Sequence, residues 1–339
     1  MKIVYVVESM ELSGGVKDVV EQAEGLSRRG HEVVIVTKHA RQGWIEVSVP
    51  VVEVPVFDAV TLPDADVHVA TWFPTVVPAL RARRAMAVFH FCQGYEALYP
   101  NCFHRLDEVE EAYAQPIPKL LLSAHLAGVL ARFPGEMLPL GPAIKVSQYS
   151  PREAKEGPAT PPTVGVVGPF ELSIKGIDVA LRAVARLKKE RGVRLLRASQ
   201  LPQSEAERAV CAADRYACGA SVHEMVSWYH ECDLLIHGSW PEEGLGLPPF
   251  EAMAAGVPVV VTDIPSLAVL PDAAVSRVAA GDEVAMAREG AGILSDAASW
   301  RRRRQEGLEA VREFDLERVL DRLEGYFSAA LSGTRVISR

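Results

Sequence analysis

Apolar positions along the chain alternate between two rhythms. Ile3 to Val7 is an unbroken apolar run, as in a strand buried on both faces, and Val16, Val19, Val20, Ala23 and Leu26 follow at helical spacing. Arg28-Arg29-Gly30 closes that helix with cations at its carbonyl end and a glycine suited to a left-handed cap, before Glu32 to Thr37 resumes the strand pattern. One βαβ unit is complete by residue 37. Further runs at Val51 to Val56, Asp66 to Ala70, Ala85 to Phe91 and Leu120 to Leu122 predict a parallel sheet covered by helices.

The rhythm breaks between Ser150 and Pro162, where four prolines and no large apolar residue leave little to bury. A second cycle then opens with Thr163 to Gly168 as a strand and Ile177, Leu181, Val184 and Leu187 as one helix face. Asp233 to His237 and Val257 to Val261 read as later strands, with Pro249 to Ala255 a helix between them. The expected class is α/β, with two doubly wound, Rossmann-like domains: 1–145, a proline-rich linker 146–162, 163–315, and a last helix 316–339 that packs back on the first domain. Such sheets bind ligands at the carboxyl edges of their strands.

Composition narrows the class further. A length of 339 residues suits two domains, 49% hydrophobic residues exclude a disordered chain, and no stretch is apolar enough for a spanning helix. Met1-Lys2 runs directly into a strand, so no signal peptide is expected. The net charge of -8 is evenly spread, with 13 cations against 17 carboxylates in residues 1–150 and 23 against 27 in the rest. Neither half is a basic platform for nucleic acid. Five cysteines without a Cys-x-x-Cys pair argue against a disulfide framework or zinc knuckle and for a cytoplasmic protein.

Candidate chemistry concentrates in two loops. Glycines 14 and 15 stand just before a helix, where backbone amides attract phosphate and the lack of a Cβ permits close approach. The stretch Ser239 to Pro258 places Glu243 at a strand's exit, Gly244, Leu245 and Gly246 in the loop, and Glu251 in the next helical turn. Two carboxylates around an amide-rich loop can hold sugar and ribose hydroxyls while the amides face anionic oxygens. Gly165 and Gly168 do not form the Gly-x-Gly-x-x-Gly fingerprint, which disfavours a nicotinamide dehydrogenase.

The Glu243 to Glu251 spacing resembles the Glu-x7-Glu signature of retaining GT-B glycosyltransferases, glycosyltransferase family 4. In the same order, Gly14-Gly15 resembles that family's phosphate loop, Leu26 to Val33 its first helix-to-strand turn, Leu122-Ser123 a strand end, Leu138 to Gly141 its hinge, and Lys175 to Asp178 its second phosphate loop. The resemblance implies two domains facing each other across a cleft. It also implies that Glu243 contacts the donor sugar, Glu251 the ribose, and Lys175, Gly14 and Gly15 the diphosphate, with Gly244, Leu245 and Gly246 lining the donor. A strand-end residue beside the reacting sugar is expected at Gln93 or His90, and Gln93 to Glu96 resembles a run of rhamnose-transferring members.

The chain departs from the pattern at Pro169, where the family carries an arginine, and Arg182 is a candidate to compensate. The expectation is a retaining, metal-independent hexosyl- or deoxyhexosyltransferase, working by front-face attack without a cofactor. A nucleoside diphosphate sugar is the donor, and a glycan, lipid-linked or small molecule the acceptor. Rival readings are a non-catalytic nucleotide-sugar binding protein, a related epimerase and a phosphorylase. Arg81, Arg83 and Arg84 suggest a peripheral membrane contact; Arg301 to Arg304 reads as a solvated helix face, and Trp44, Trp72 and Tyr95 as core or acceptor-stacking residues.

Overall fold

The computed structural model describes residues 1–40, 43–82, 85–151 and 155–333. Two compact units share the chain: Met1–Ala143 with Phe314–Arg339, and Ile144–Glu313. The first unit holds seven parallel strands: β1 (Lys2–Val7), β2 (Glu32–Thr37), β3 (Val51–Glu53), β4 (Ala65–Ala70), β5 (Ala85–Cys92), β6 (Lys119–Leu121) and β7 (Met137–Pro139). They lie in the order β3-β2-β1-β4-β5-β6-β7. Tyr5 sits between Ile35 and Val69 in register, so the sheet's centre is apolar on both faces. β3 is shorter than its apolar run because Pro55 has no N–H to extend the ladder.

The second unit repeats the scheme with β8 (Thr163–Val167), β9 (Arg194–Ser199), β10 (Arg215–Cys218), β11 (Leu234–His237), β12 (Val259–Thr262) and β13 (Val275–Val278), ordered β10-β9-β8-β11-β12-β13. In both sheets the order reverses beside the first strand, at β1/β4 and at β8/β11. Ligands of open parallel sheets bind outside the carboxyl ends at such reversals. That rule points to the loops after β1, β8 and β11.

Helices cover both sheets through their apolar stripes. Gly14–Arg28 is capped by Ser13, whose hydroxyl accepts from Val16 N at 3.2 Å, and it buries Val19, Val20, Ala23 and Leu26. The last helix, Leu316–Leu331, lies against it: Gly25 leaves room for Leu320, and Arg29 pairs with Glu317, Asp321 and Glu324 at 2.6, 2.9 and 2.7 Å. Phe327 also packs on Phe89 of β5, ring centroids 5.0 Å apart and planes tilted by 58°. This helix therefore belongs to the first unit although it follows the second in sequence.

Segment 146–162 differs from a free linker. Its helix Val146–Tyr149 and its lysine belong to the second unit: Tyr149 is buried, and Lys155 Nζ donates to Cys232 O and Asp233 at 3.1 Å each. Aromatic and cationic anchors hold the segment where its prolines suggest exposure; residues 152–154 lie outside the described residues. Among the described residues no helix is long and apolar enough to cross a membrane.

Candidate active site

In the second unit the loops after β8 and β11 touch backbone to backbone. Gly176, at φ +53°, faces the carbonyl of Gly238, and Gly238 in turn faces the carbonyl of Gly176, so a Cβ at either position meets main chain. Trp240 N donates to Ile174 O at 2.8 Å and closes the seam. The seam delivers Lys175 to Glu243: the ammonium donates to Glu243 Oε1, and the carboxylate is buried. Two residues that sequence alone placed 68 positions apart thus form one ion pair.

Glu243 stays ionised in spite of burial. Desolvation works to raise its pKa, but the Lys175 charge and hydrogen bonds from Lys175 and Ser239 hold it below the usual carboxylate value. His237, the last residue of β11, lies with Nε2 3.7 Å from Glu243 Oε2 and 2.9 Å from the Ser239 hydroxyl. Burial pushes the imidazole down to about 4, so at neutral pH it is an uncharged hydrogen-bonding neighbour. Gly246, at φ +76°, fits because its missing Cβ leaves space for His237 and Glu243. Gly244 and Leu245 are buried in the same turn. Glu243 Oε2 has no hydrogen-bond partner among the described residues, which leaves an acceptor for a hydroxyl group.

Glu251 stands in the helix Pro248–Ala254, also buried, and accepts from Tyr149 Oη at 3.1 Å and Tyr229 Oη at 2.7 Å. The two phenols fix the carboxylate in place. Arg182, the candidate to compensate for Pro169, pairs with Asp178 at 2.9 Å and lies 3.8 Å from Glu283. The residue behind that loop is Arg197, fully buried on β9, which donates to the carbonyls of Gly168, Val166 and Ala198 and to Glu207 at 2.8, 2.8, 3.0 and 2.7 Å. All its bonds go inward, so it braces the loop.

In the first unit Gly14 and Gly15 open the helix Gly14–Arg28, and Gln93 follows β5. The Gln93 amide occupies the space a Cβ on Gly15 would need, so these two expected site residues meet. His90 must be taken off the site. It is fully buried inside β5, its ring 4.7 Å from Tyr113, with neither nitrogen hydrogen-bonded among the described residues, and burial with the nearby Lys119 charge pushes it down to about 3. It lies three residues before the strand's exit, on the core side.

The remaining candidates are dispersed. Arg301, Arg302 and Arg303 turn to Glu156 O, Ser299 and Ala273 O, and so form no common anion site. Trp44 donates to Met10 O, Trp72 stacks on Tyr99, and Tyr95 packs on Tyr113 and Phe133. Arg81 ends an exposed helix turn, while Arg83 and Arg84 lie outside the described residues. The chain does hold one Asp-x-Asp triplet, Asp64–Asp66, but it is at the amino end of β4, and Asp66 accepts from Lys2 N at 2.7 Å. Among the described residues no three His, Cys, Asp or Glu side chains cluster as a metal site. Sequence reasoning missed His237, Ser239, Tyr149 and Tyr229; a histidine ending a buried strand beside the acidic loop was the available signal.

In the second unit the loops after β8 and β11 are thus joined by a lysine–glutamate pair at the sheet's order reversal, where open parallel sheets bind ligands. Residues 161–296, within the second unit, match the family model described as Glycosyl transferases group 1. The MMP alpha-(1->4)-mannosyltransferase of Mycolicibacterium hassiacum is 29% identical over 168 residues, 46% of this chain and 39% of the relative. That alignment thus spans well under half the relative's length. Sucrose-phosphate synthase of Thermosynechococcus elongatus has a TM-score of 0.80 at 17% identity, covering 98% of this chain and all of that one. Anabaena HepE in complex with UDP and glucose has a TM-score of 0.76 at 16% identity, covering 97% of this chain and 100% of its own. The fold is the GT-B fold of glycosyltransferases.

Proposed function

We propose that the chain is a retaining glycosyltransferase that moves a hexosyl or deoxyhexosyl group from a nucleoside diphosphate sugar to a glycan, lipid-linked or small-molecule acceptor. The observation that carries the reading is the buried Glu243, paired with Lys175 through one oxygen and offering the other, inside the residues that match group 1 glycosyl transferases. The relatives' names support a hexose and, in HepE, a uridine diphosphate.

In this reading Lys175 shares its charge between Glu243 and the donor diphosphate and stabilises negative charge as the phosphate leaves. The amides at the Gly14–Gly15 helix start and around Gly244, Leu245 and Gly246 add fixed dipoles. Glu251 holds the ribose, and Gln93 stands beside the sugar. Glu243 has its carboxylate anchored on one side by Lys175 and bordered on the other by neutral His237; it orients the sugar and favours positive charge at the anomeric carbon. Its pairing makes it a poor nucleophile, and Glu96 of the first unit points inward, so front-face attack assisted by the leaving phosphate is the route. No metal, cofactor or nucleic acid enters the scheme, and the work is done in the cytoplasm, at the membrane surface when the acceptor is lipid-linked.

A thermal-shift panel of UDP, GDP, ADP and dTDP with their common sugars identifies the donor, since a ligand at about 100 times its dissociation constant stabilises by roughly 2.7 kcal/mol. Proton NMR of the first-formed product then reads the stereochemistry. Retained configuration with activity in excess EDTA is expected; an inverted linkage removes the retaining assignment, and binding with every acceptor inert leaves a nucleotide-sugar binding protein.

A further inference from the structure

The loop Gln93 to Glu96 is tied to the helix Leu106–Tyr113 by a hydrogen-bond pattern that requires an extra proton. Tyr113 Oη lies 2.8 Å from the carbonyl of Gly94 and 2.5 Å from Glu96 Oε2. A phenol has one hydrogen, and a carbonyl oxygen only accepts. If Glu96 is ionised, two acceptors compete for one hydrogen, and a buried group goes unpaired at a cost. If Glu96 carries a proton, it donates to Tyr113 Oη, and the Tyr113 hydroxyl is free to donate to Gly94. Only the second arrangement satisfies every group.

The surroundings favour the protonated form. Glu96 is 1% exposed. The groups around it are neutral or distant: His90 and Cys92 on β5, Cys102 in the turn Pro100–Arg105, Tyr99 and Tyr113, with Lys119 on β6 committed to the carbonyls of Gln115, Ile117 and Pro134 at 3.1, 3.4 and 2.5 Å. Burial pushes the Glu96 carboxyl up to about 7 and the Cys92 and Cys102 thiols up as well, so neither sulfur supplies a competing charge near neutrality. The tie bears directly on Gln93, whose amide lies against Gly15 one residue before Gly94.

We propose that Glu96 and Tyr113 are positioning residues which hold the Gln93 loop against the Gly14–Gly15 helix start through a proton kept on Glu96, and that loss of this proton to solvent loosens the loop. On deprotonation Tyr113 turns its hydrogen to the carboxylate and releases Gly94. The Gln93 loop of the first unit then loses its order above neutral pH. The functional consequence rests on the glycosyltransferase reading; the proton and the loop do not.

The experiment uses the full chain, wild type, Glu96→Gln and Tyr113→Phe, from about pH 5.5 to about pH 8.5. Infrared difference spectra should show a carboxylic-acid carbonyl band that titrates near neutrality in wild type and is missing in Glu96→Gln. Hydrogen exchange, corrected for its intrinsic pH dependence, should speed up at residues 93–96 above neutrality in wild type, stay slow in Glu96→Gln because the amide donates permanently to Tyr113, and be fast throughout in Tyr113→Phe. Calorimetry should find that the wild-type preference for a nucleotide sugar over its nucleoside diphosphate falls roughly threefold or more across that range, within the tenfold per pH unit that one proton sets, and that the preference is flat in Glu96→Gln. An absent band, or loop exchange that rises alike in wild type and Glu96→Gln, overturns the latch. If neither ligand binds, the donor reading fails while the spectra and exchange still decide the latch.

Discussion

The two units bury ionisable groups in different ways. The second unit pairs them: Lys175 with Glu243, and Arg197 with Glu207 at 2.7 Å, the latter two fully out of solvent. The first unit sets its deepest carboxylates against neutral partners, Asp18 against the Gln22 amide at 2.8 Å and Ala143 N at 3.3 Å, Glu96 against Tyr113. Burial then decides the outcome, pushing Asp18 and Glu96 each up to about 7, whereas Glu243 with its cation is held down. A shielded cation keeps a carboxylate charged for chemistry. Without one, the same burial favours the protonated carboxyl, even at Asp18, which accepts from Ala143 N at the exit of the first unit. The nearly buried Lys17–Glu21 pair, 3.4 Å apart beside Asp18, is the exception in the first unit.

The comparison breaks most visibly where a full ion pair loses its cation. Arg197→Met strands Glu207 and removes the guanidinium hydrogen bonds to the carbonyls of Val166, Gly168 and Ala198, so urea unfolding should show a loss of about 3–5 kcal/mol, the cost of breaking a buried pair. A loss below about 1 kcal/mol would mean that Arg197 is dispensable to the loop after β8. Next in size, Glu243→Gln keeps shape and hydrogen bonding but removes the charge. Donor affinity by calorimetry should stay within several fold and turnover should fall by roughly 10² or more, the scale of a lost transition-state electrostatic contact. Equal losses in binding and turnover would make Glu243 a plain donor ligand.

Much of this was legible in the sequence, and the exceptions have physical causes. The apolar runs revealed β1, β2, β4, β5, β8 and β11 because central parallel strands are apolar on both faces. β9 and β10 escaped notice because their apolar run is interrupted by Arg194, Arg197 and Arg215, and β7 and β13 because edge strands need less apolar surface. Glu243 was marked by its place at a strand's exit and Lys175 only through the family resemblance, yet their contact depends on the Gly176–Gly238 seam, a long-range fact no local pattern encodes. His90 misled because it lies within an apolar strand, where a histidine reads as functional unless its depth is known. Gln93, the other candidate, follows the strand's last residue.

Two smaller effects sharpen the contrast. Lys175→Ala should weaken binding of a nucleoside diphosphate by about tenfold or more and of the nucleoside hardly at all, since a charge-assisted hydrogen bond contributes about 1.5–3 kcal/mol; equal losses for both ligands would detach Lys175 from the phosphates. For the first unit the test is pH. Asp18 and Glu96 have folded pKa values above their unfolded ones, so the folded chain holds more protons between about pH 4 and about pH 7 and their contribution to stability falls as pH rises through that window. Glu243, held low, contributes the opposite slope only at more acid pH, where it is lost as the carboxylate protonates. Melting temperatures of wild type should therefore decline from mildly acid to neutral pH, and Asp18→Asn should flatten part of that decline. An unchanged slope in Asp18→Asn would mean that Asp18 folds already ionised.

The smallest stability effect is expected at Gly15, and it isolates the meeting of Gly15 with Gln93. A Cβ there collides with the end of the Gln93 side chain and with no backbone atom, so Gln93 can swing aside at little cost. Alanine also suits the first helical turn better than glycine by up to about 1 kcal/mol. Gly15→Ala should therefore leave the melting temperature unchanged or slightly raised. Turnover should nevertheless fall, on the order of tenfold, because the amide is driven from its position beside the helix start, and small displacements of positioning groups are costly to rate. In a Gln93→Ala background the same substitution should have no further effect on turnover, since the group it displaces is already gone. If Gly15→Ala lowers turnover equally with and without Gln93, the glycine acts through its own backbone approach to the phosphate, and the loop after β5 has no part in that loss.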